Sequence, residues 1–174
     1  MSVYDNMQPE EMNNVRHKVE DNSKIIDDIV NDIVRPYTKS LDRYVEFIAN
    51  CLKDGERPPR VVELEDFCMN LSTYIYFAGG MCEQLGIRDD ISKAVYKEIY
   101  HSNRSSLEHG TVADKDSLAE LASQQEYLTN VCYSRAYKTM KSKVDAAQEL
   151  LSSCKKVLSS RLSERELTRM DINK

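Results

Sequence analysis

The most regular hydrophobic pattern lies in the last third of the chain, from Thr111 to Arg161, where no Gly or Pro forces a helix to stop. Apolar residues there fall at Tyr133, Tyr137, Met140, Val144, Ala147, Leu151, Cys154 and Leu158, in steps that alternate between four and three. A mean step of about 3.5 residues is the spacing of a coiled-coil seam, kept here for about four heptads. A helix with such a stripe needs other helices to cover it, from its own chain or from another copy. We read Tyr137, Met140, Val144, Ala147, Leu151, Cys154 and Leu158 as an oligomerisation seam.

Two earlier stretches carry the same period. Ile26, Val30, Ile33, Tyr37, Leu41, Tyr44, Ile48 and Leu52 form one stripe, interrupted by Pro36. Proline removes a backbone donor and disfavours helix at Arg35, so this stretch is either one kinked helix or two in tandem. The second stripe is Leu64, Phe67, Leu71, Ile75, Ala78, Cys82 and Leu85, with Gly79-Gly80 inside it and Gly86 at its close. Those glycines permit a kink or a close backbone crossing. Asp89-Asp90 can cap a further helix from Ile91 to about Leu107, with Val95 and Ile99 on its apolar side. After His109-Gly110, either Thr111 with Asp114 or Ser117 with Glu120 can start the long final helix. Ser163 and Glu166 repeat that spacing, which predicts a short separate helix after Leu162.

These patterns predict an all-α fold of four or five helices: an elongated, oligomeric bundle with a long coiled-coil-like helix at its C-terminal end. Asp54-Gly55 followed by Arg57-Pro58-Pro59-Arg60 marks the best boundary. It separates an acidic helical arm, residues 1–56, from a domain of oligomerisation and binding, residues 61–174. Met1 to Asn22 is polar with weak periodicity and is expected to be mobile or a docking arm.

Composition narrows the class. With 174 residues, five Gly and four Pro, the chain suits one domain of a few long helices. A 41% hydrophobic and 30% charged composition fits a thin core that buries further surface between subunits. No apolar run approaches the roughly 18 residues that cross a bilayer, and the polar N-terminus lacks the order of a signal peptide. The chain reads as soluble and cytoplasmic. Its five cysteines, Cys51, Cys68, Cys82, Cys132 and Cys154, form no C-x-x-C pair and read as reduced thiols on apolar faces.

Net charge is −5, but it is unevenly placed. Val131 to Lys174 holds ten Lys and Arg against five Asp and Glu, so the back is basic and the front acidic. Phosphate-loop, nucleophile-elbow and zinc-protease motifs are missing, and His17, His101 and His109 stand in polar stretches. We therefore expect no catalytic residues, no metal site and no cofactor. One constellation carries chemistry. Lys93, Tyr96, Lys97, Tyr100 and Arg104 recur on neighbouring turns of one helix, and cations interleaved with aromatic rings suit single-stranded nucleic acid. The same spacing also fits tyrosines packed on the core edge beside solvated lysines. A second basic set, Arg135, Lys138, Lys141, Lys155 and Lys156, flanks the seam as coiled-coil flanks ordinarily do.

The stretch Lys93-Ala-Val-Tyr-Lys97-Glu-Ile-Tyr-His-Ser resembles the lysine-rich, tyrosine-containing helix motif of the UvsY-like recombination mediators of tailed phages. His109-Gly110-Thr111, the Asp114-Lys115-Asp116 start of a long helix, and Ser160-Arg161 follow in the order of that family, over roughly Leu64 to Met170. Where the family has an arginine two residues after the second lysine, this chain has Ile99, with Arg104 later. The resemblance implies a non-enzymatic, ring-forming homo-oligomer that binds single-stranded DNA. Such a protein helps a RecA-type recombinase displace the single-strand-binding protein, in the host cytoplasm if the chain is phage-encoded. Lys93 and Lys97 match the basic DNA-contacting motif. A different class is a helical structural or adaptor protein, a phage assembly or inhibitory factor, whose stripes are protein interfaces.

Overall fold

In a computed structural model of the chain, residues 9–53 and 58–172 are described, with side chains over 12–53 and 58–167. Among these residues there are four helices and no strand: α1 (Pro9–Lys53), α2 (Val61–Ser106), α3 (Val112–Ala122) and α4 (Gln124–Ile172). The all-α expectation holds.

The apolar stripes decide how the helices meet. On α2, Leu64, Phe67, Leu71, Ala78, Cys82 and Leu85 are buried, and all come from the stripe read in the sequence. They face Ala136, Met140, Val144, Ala147 and Cys154 of α4 in one hydrophobic core. The two helices run antiparallel: Gly86 lies against Tyr137, Ser92 against Asn130, and Tyr96 against Tyr127. α1 adds Val30, Val34, Leu41 and Ile48 to the same core. It runs antiparallel to α2, with Tyr44 against Tyr74 and Phe47 against Phe67. Complete burial of a side chain such as Ile48, Leu71 or Met140 contributes about 1.5–3 kcal/mol.

A polar clamp fixes α1 across the hairpin. Lys143 Nζ on α4 donates to both carboxylate oxygens of Asp42 at 2.7 Å. Thr38, one turn earlier and buried, donates its hydroxyl to the same carboxylate at 2.7 Å.

Within the single chain the expected seam is already packed. Met140, Val144, Ala147 and Cys154 are buried, and Tyr137, Leu151 and Leu158 pack against them, all within one chain. The α2 stripe supplies the complementary surface, so this face of α4 is covered without a second copy.

Helix boundaries also differ from the sequence reading. Pro36 lies inside one helix, because Val34 and Thr38 on either side carry the buried stripe through it. Neither Gly86 nor Asp89-Asp90 ends α2. A Cβ on Gly86 would stand 3.2 Å from the Tyr137 ring, so the small residue serves the α2–α4 contact. The final helix is divided at Ser123, whose hydroxyl bonds back to the Ala119 carbonyl. No separate helix begins after Leu162, since the Ser163 hydroxyl bonds back to Ser159 O at 3.1 Å and α4 continues.

Residues from Pro9 to Asn22, expected to be mobile or a docking arm, are the first turns of α1, with their described side chains exposed. Residues 1–8 and the Asp54-Gly55 and Arg57 boundary signals lie outside the described residues. Pro58 and Pro59 precede α2 in non-helical conformation, and Arg60 N–H donates to Glu63 Oε2 at 2.7 Å to start it. Both helices on either side of this stretch contribute to one core.

Candidate nucleic-acid interface

The C-terminal half of α2, the α2–α3 turn and α3 position the cations singled out in the sequence. Gly110 (φ 113°) supplies the one positive φ among the described residues and reverses the chain. Thr111 and Asp114 then form the expected capping box: Asp114 N–H donates to Thr111 Oγ1 at 3.2 Å, and Thr111 N–H donates to Asp114 Oδ2 at 3.0 Å. The Thr111 hydroxyl and then its N–H hold the Asp114 carboxyl below the usual carboxylate range.

The five predicted residues divide by what they touch. Lys93 and Lys97 stand one turn apart, exposed, with no ion pair or side-chain hydrogen bond among the described residues. Tyr96 and Tyr100 are half-buried and form a ladder with α4. The Tyr96 ring is 5.5 Å from Tyr127 and 6.2 Å from Tyr100. Tyr100 also meets the His101 ring edge-on at 5.3 Å and donates its hydroxyl to Asp116 Oδ1 at 3.2 Å. Partial desolvation first, and then the Asp116 charge, push its phenol above the ordinary value. Arg104 donates Nε to the same carboxylate oxygen.

Two roles follow. The lysines offer open positive charge, whereas Tyr100 and Arg104 hold α3 onto the end of α2 through Asp116. The tyrosine rings use much of their faces on one another, as the core-edge alternative anticipated, and leave partly exposed edges beside the lysines.

Sequence reasoning did not place His101 and Lys115 with this group. They share a cleft of about 440 Å³ with Arg104, Ser105 and Val112. Lys115 Nζ also donates to Glu108 O at 3.5 Å. The cleft exists because the five-residue turn folds the start of α3 back on α2, a reversal that helical periodicity does not encode. The Gly110 signal marked the turn without giving its direction.

Part of the second basic set is balanced. Lys138 and Lys141 share a shallow groove of about 380 Å³ with Asp145 and Glu149, so opposite charges lie together. A more apolar groove of about 440 Å³, lined by Ile91, Val95, Thr129 and Tyr133 with Arg88 at its rim, runs between α2 and α4. It contains Glu126, whose Oε2 is buried without a hydrogen-bond partner.

No group of three His, Cys, Asp or Glu among the described residues comes together as a metal site. All five cysteines are free, and burial raises the thiols of Cys68, Cys82, Cys132 and Cys154. Cys51 departs from the apolar-face expectation because it is exposed near the end of α1. No helix among the described residues is long and apolar enough to cross a membrane. No protein-family model, curated protein or solved structure matches the chain.

Proposed function

We propose that this protein is a non-enzymatic mediator that binds single-stranded DNA and helps a RecA-type recombinase load onto it. The observation that carries the reading is the pair of open cations Lys93 and Lys97 beside the Tyr96–Tyr100 ladder, on the stretch that resembles the UvsY-like mediators. Lys93 and Lys97 hold phosphates, with Lys115 extending the positive edge toward α3. Exposed parts of the tyrosine rings offer flat faces to bases. Arg104 is withheld from phosphate by its pairing with Asp116.

Two lysines per chain give weak, salt-sensitive affinity. Assembly into a ring multiplies those contacts along one strand and raises avidity by orders of magnitude without any new contact. The protein thereby competes with the single-strand-binding protein and passes the strand to the recombinase.

Fluorescence anisotropy with a labelled single-stranded oligonucleotide tests the DNA step. Wild-type protein is expected to bind at low salt. The Lys93→Ala, Lys97→Ala variant is expected to lose at least tenfold in affinity with unchanged helicity. Equal binding by both proteins would refute the site. Stimulation of a RecA-type recombinase on strands coated with single-strand-binding protein tests the second step.

A second reading has its own support. The pairing of Arg104 with Asp116 removes one cation from the basic face, and large apolar side chains are exposed on α2. Both fit a helical structural or adaptor protein that acts through protein interfaces alone. Absence of DNA binding at low salt favours that reading.

A further inference from the structure

Helix α2 is apolar on two opposite sides. One side is the core stripe, from Leu64 to Leu85. On the other, Val62, Met69, Tyr76, Phe77, Ile87 and Ile91 each expose between 57% and 77% of their surface. Val62, Met69 and Tyr76 follow one another in seven-residue steps, and Ile87 and Ile91 continue the line on the same face. A helix that is apolar all round belongs between other elements. Here its own chain covers one side only, among the described residues.

The middle of the open line is Gly79-Gly80. A Cβ at either position would meet nothing within 4 Å, so the glycines serve no close contact inside the chain. Each nevertheless costs helix stability relative to alanine. Their use is explained by a second helix crossing there, where the missing side chains let two backbones approach closely.

We propose that this face of α2 is where a second copy of the chain docks, with the two α2 helices crossing antiparallel about a two-fold axis at Gly80. The middle of the face is self-complementary in that register. Met69 meets Ile91 of the second copy, Thr73 meets Ile87, and Tyr76 meets Gln84, while Val62 at the edge of the contact meets Glu98. A two-fold interface requires such self-matching, which an unrelated partner does not. The six apolar side chains offer on the order of 600 Å² of exposed surface. That is at the upper end of what a monomer ordinarily leaves bare and approaches the roughly 800 Å² per partner of a stable interface. A two-fold contact of this kind closes a dimer, and it stands whether or not DNA binds.

The test reads mass, not DNA. Light scattering on the eluting full-length protein is expected to give twice the 20.1 kDa of one chain, or a larger even multiple. Gly80→Leu, which meets open space within its own chain, is expected to keep full helicity and fall to 20.1 kDa. Met69→Glu and Ile91→Lys are each expected to weaken association at least tenfold, and the two together to restore it. A wild-type mass of 20.1 kDa at every concentration would overturn the proposal. So would Gly80→Leu at wild-type mass, and failure of the paired charges to rescue would overturn the antiparallel register.

Discussion

Arg104 on α2 and Asp116 on α3 are paired across the α2–α3 turn, and Tyr100 donates a hydrogen bond to the same carboxylate oxygen. The pair is about 40% exposed on both sides, so its contribution to folding is small, about 0.2–1 kcal/mol. Its larger consequence is for charge, since it neutralises the third cation of the basic face. Asp116→Ala should therefore change stability by less than about 1 kcal/mol while strengthening single-stranded DNA binding by releasing Arg104. Urea denaturation and anisotropy, run together, read the two effects separately.

The stripe on α4 is part of the chain's own core, which distinguishes folding from assembly. Met140 is completely buried among α2 and α4 side chains. Met140→Ala should cost about 2–5 kcal/mol and lower the melting temperature even at dilutions where only single chains exist. A seam between subunits would instead give a melting temperature that converges with wild type on dilution.

The clamp of Lys143 on Asp42 makes a milder prediction. Both groups are partly exposed, so Lys143→Met should cost no more than about 1 kcal/mol. Ile48→Ala, in the same α1 contact but completely buried, should cost about 2–5 kcal/mol. Denaturation midpoints at equal slope decide the order.

The start of α3 is sensitive to pH from both directions. Asp114 has a lowered folded pKa, so its contribution to the cap is fully present above the ordinary aspartate value and is lost as pH falls below that value through the lowered folded one. Tyr100 has a raised folded pKa, so its bond to Asp116 is kept below the ordinary phenol value and lost as pH rises above about 10. NMR chemical shifts of the Thr111 to Lys115 amides should move at low pH while those of the α2 core stay fixed.

The buried stripes were legible because burial imposes a period. Every α2 core position from Leu64 to Leu85 and every α1 core position from Val30 to Ile48, Val34 and Thr38 aside, lies on the lines read from the sequence. Boundaries were harder. Gly86 and Pro36 are local penalties of roughly 1 and 3 kcal/mol, and the continuous core on both sides outweighs them. Ser123 carries no strong breaking signal, so the division between α3 and α4 was not foreseen. For the site, helical spacing placed Lys93 and Lys97 on neighbouring turns. It did not show that Arg104 meets Asp116, because that contact depends on the geometry of a five-residue turn. The outward line from Val62 to Ile91 was masked by the inward one, since a helix apolar on both sides has no single preferred face.

The most direct measurement is the salt dependence of single-stranded DNA binding by the full chain and by the Lys93→Ala, Lys97→Ala variant. For two phosphate contacts per chain, the logarithm of the binding constant should fall with the logarithm of salt at a slope of about −1.4, more steeply for an assembly that engages several chains. The variant should lose both affinity and slope while circular dichroism stays that of wild type. Binding with an unchanged slope in the variant, or no binding at low salt, would contradict the account.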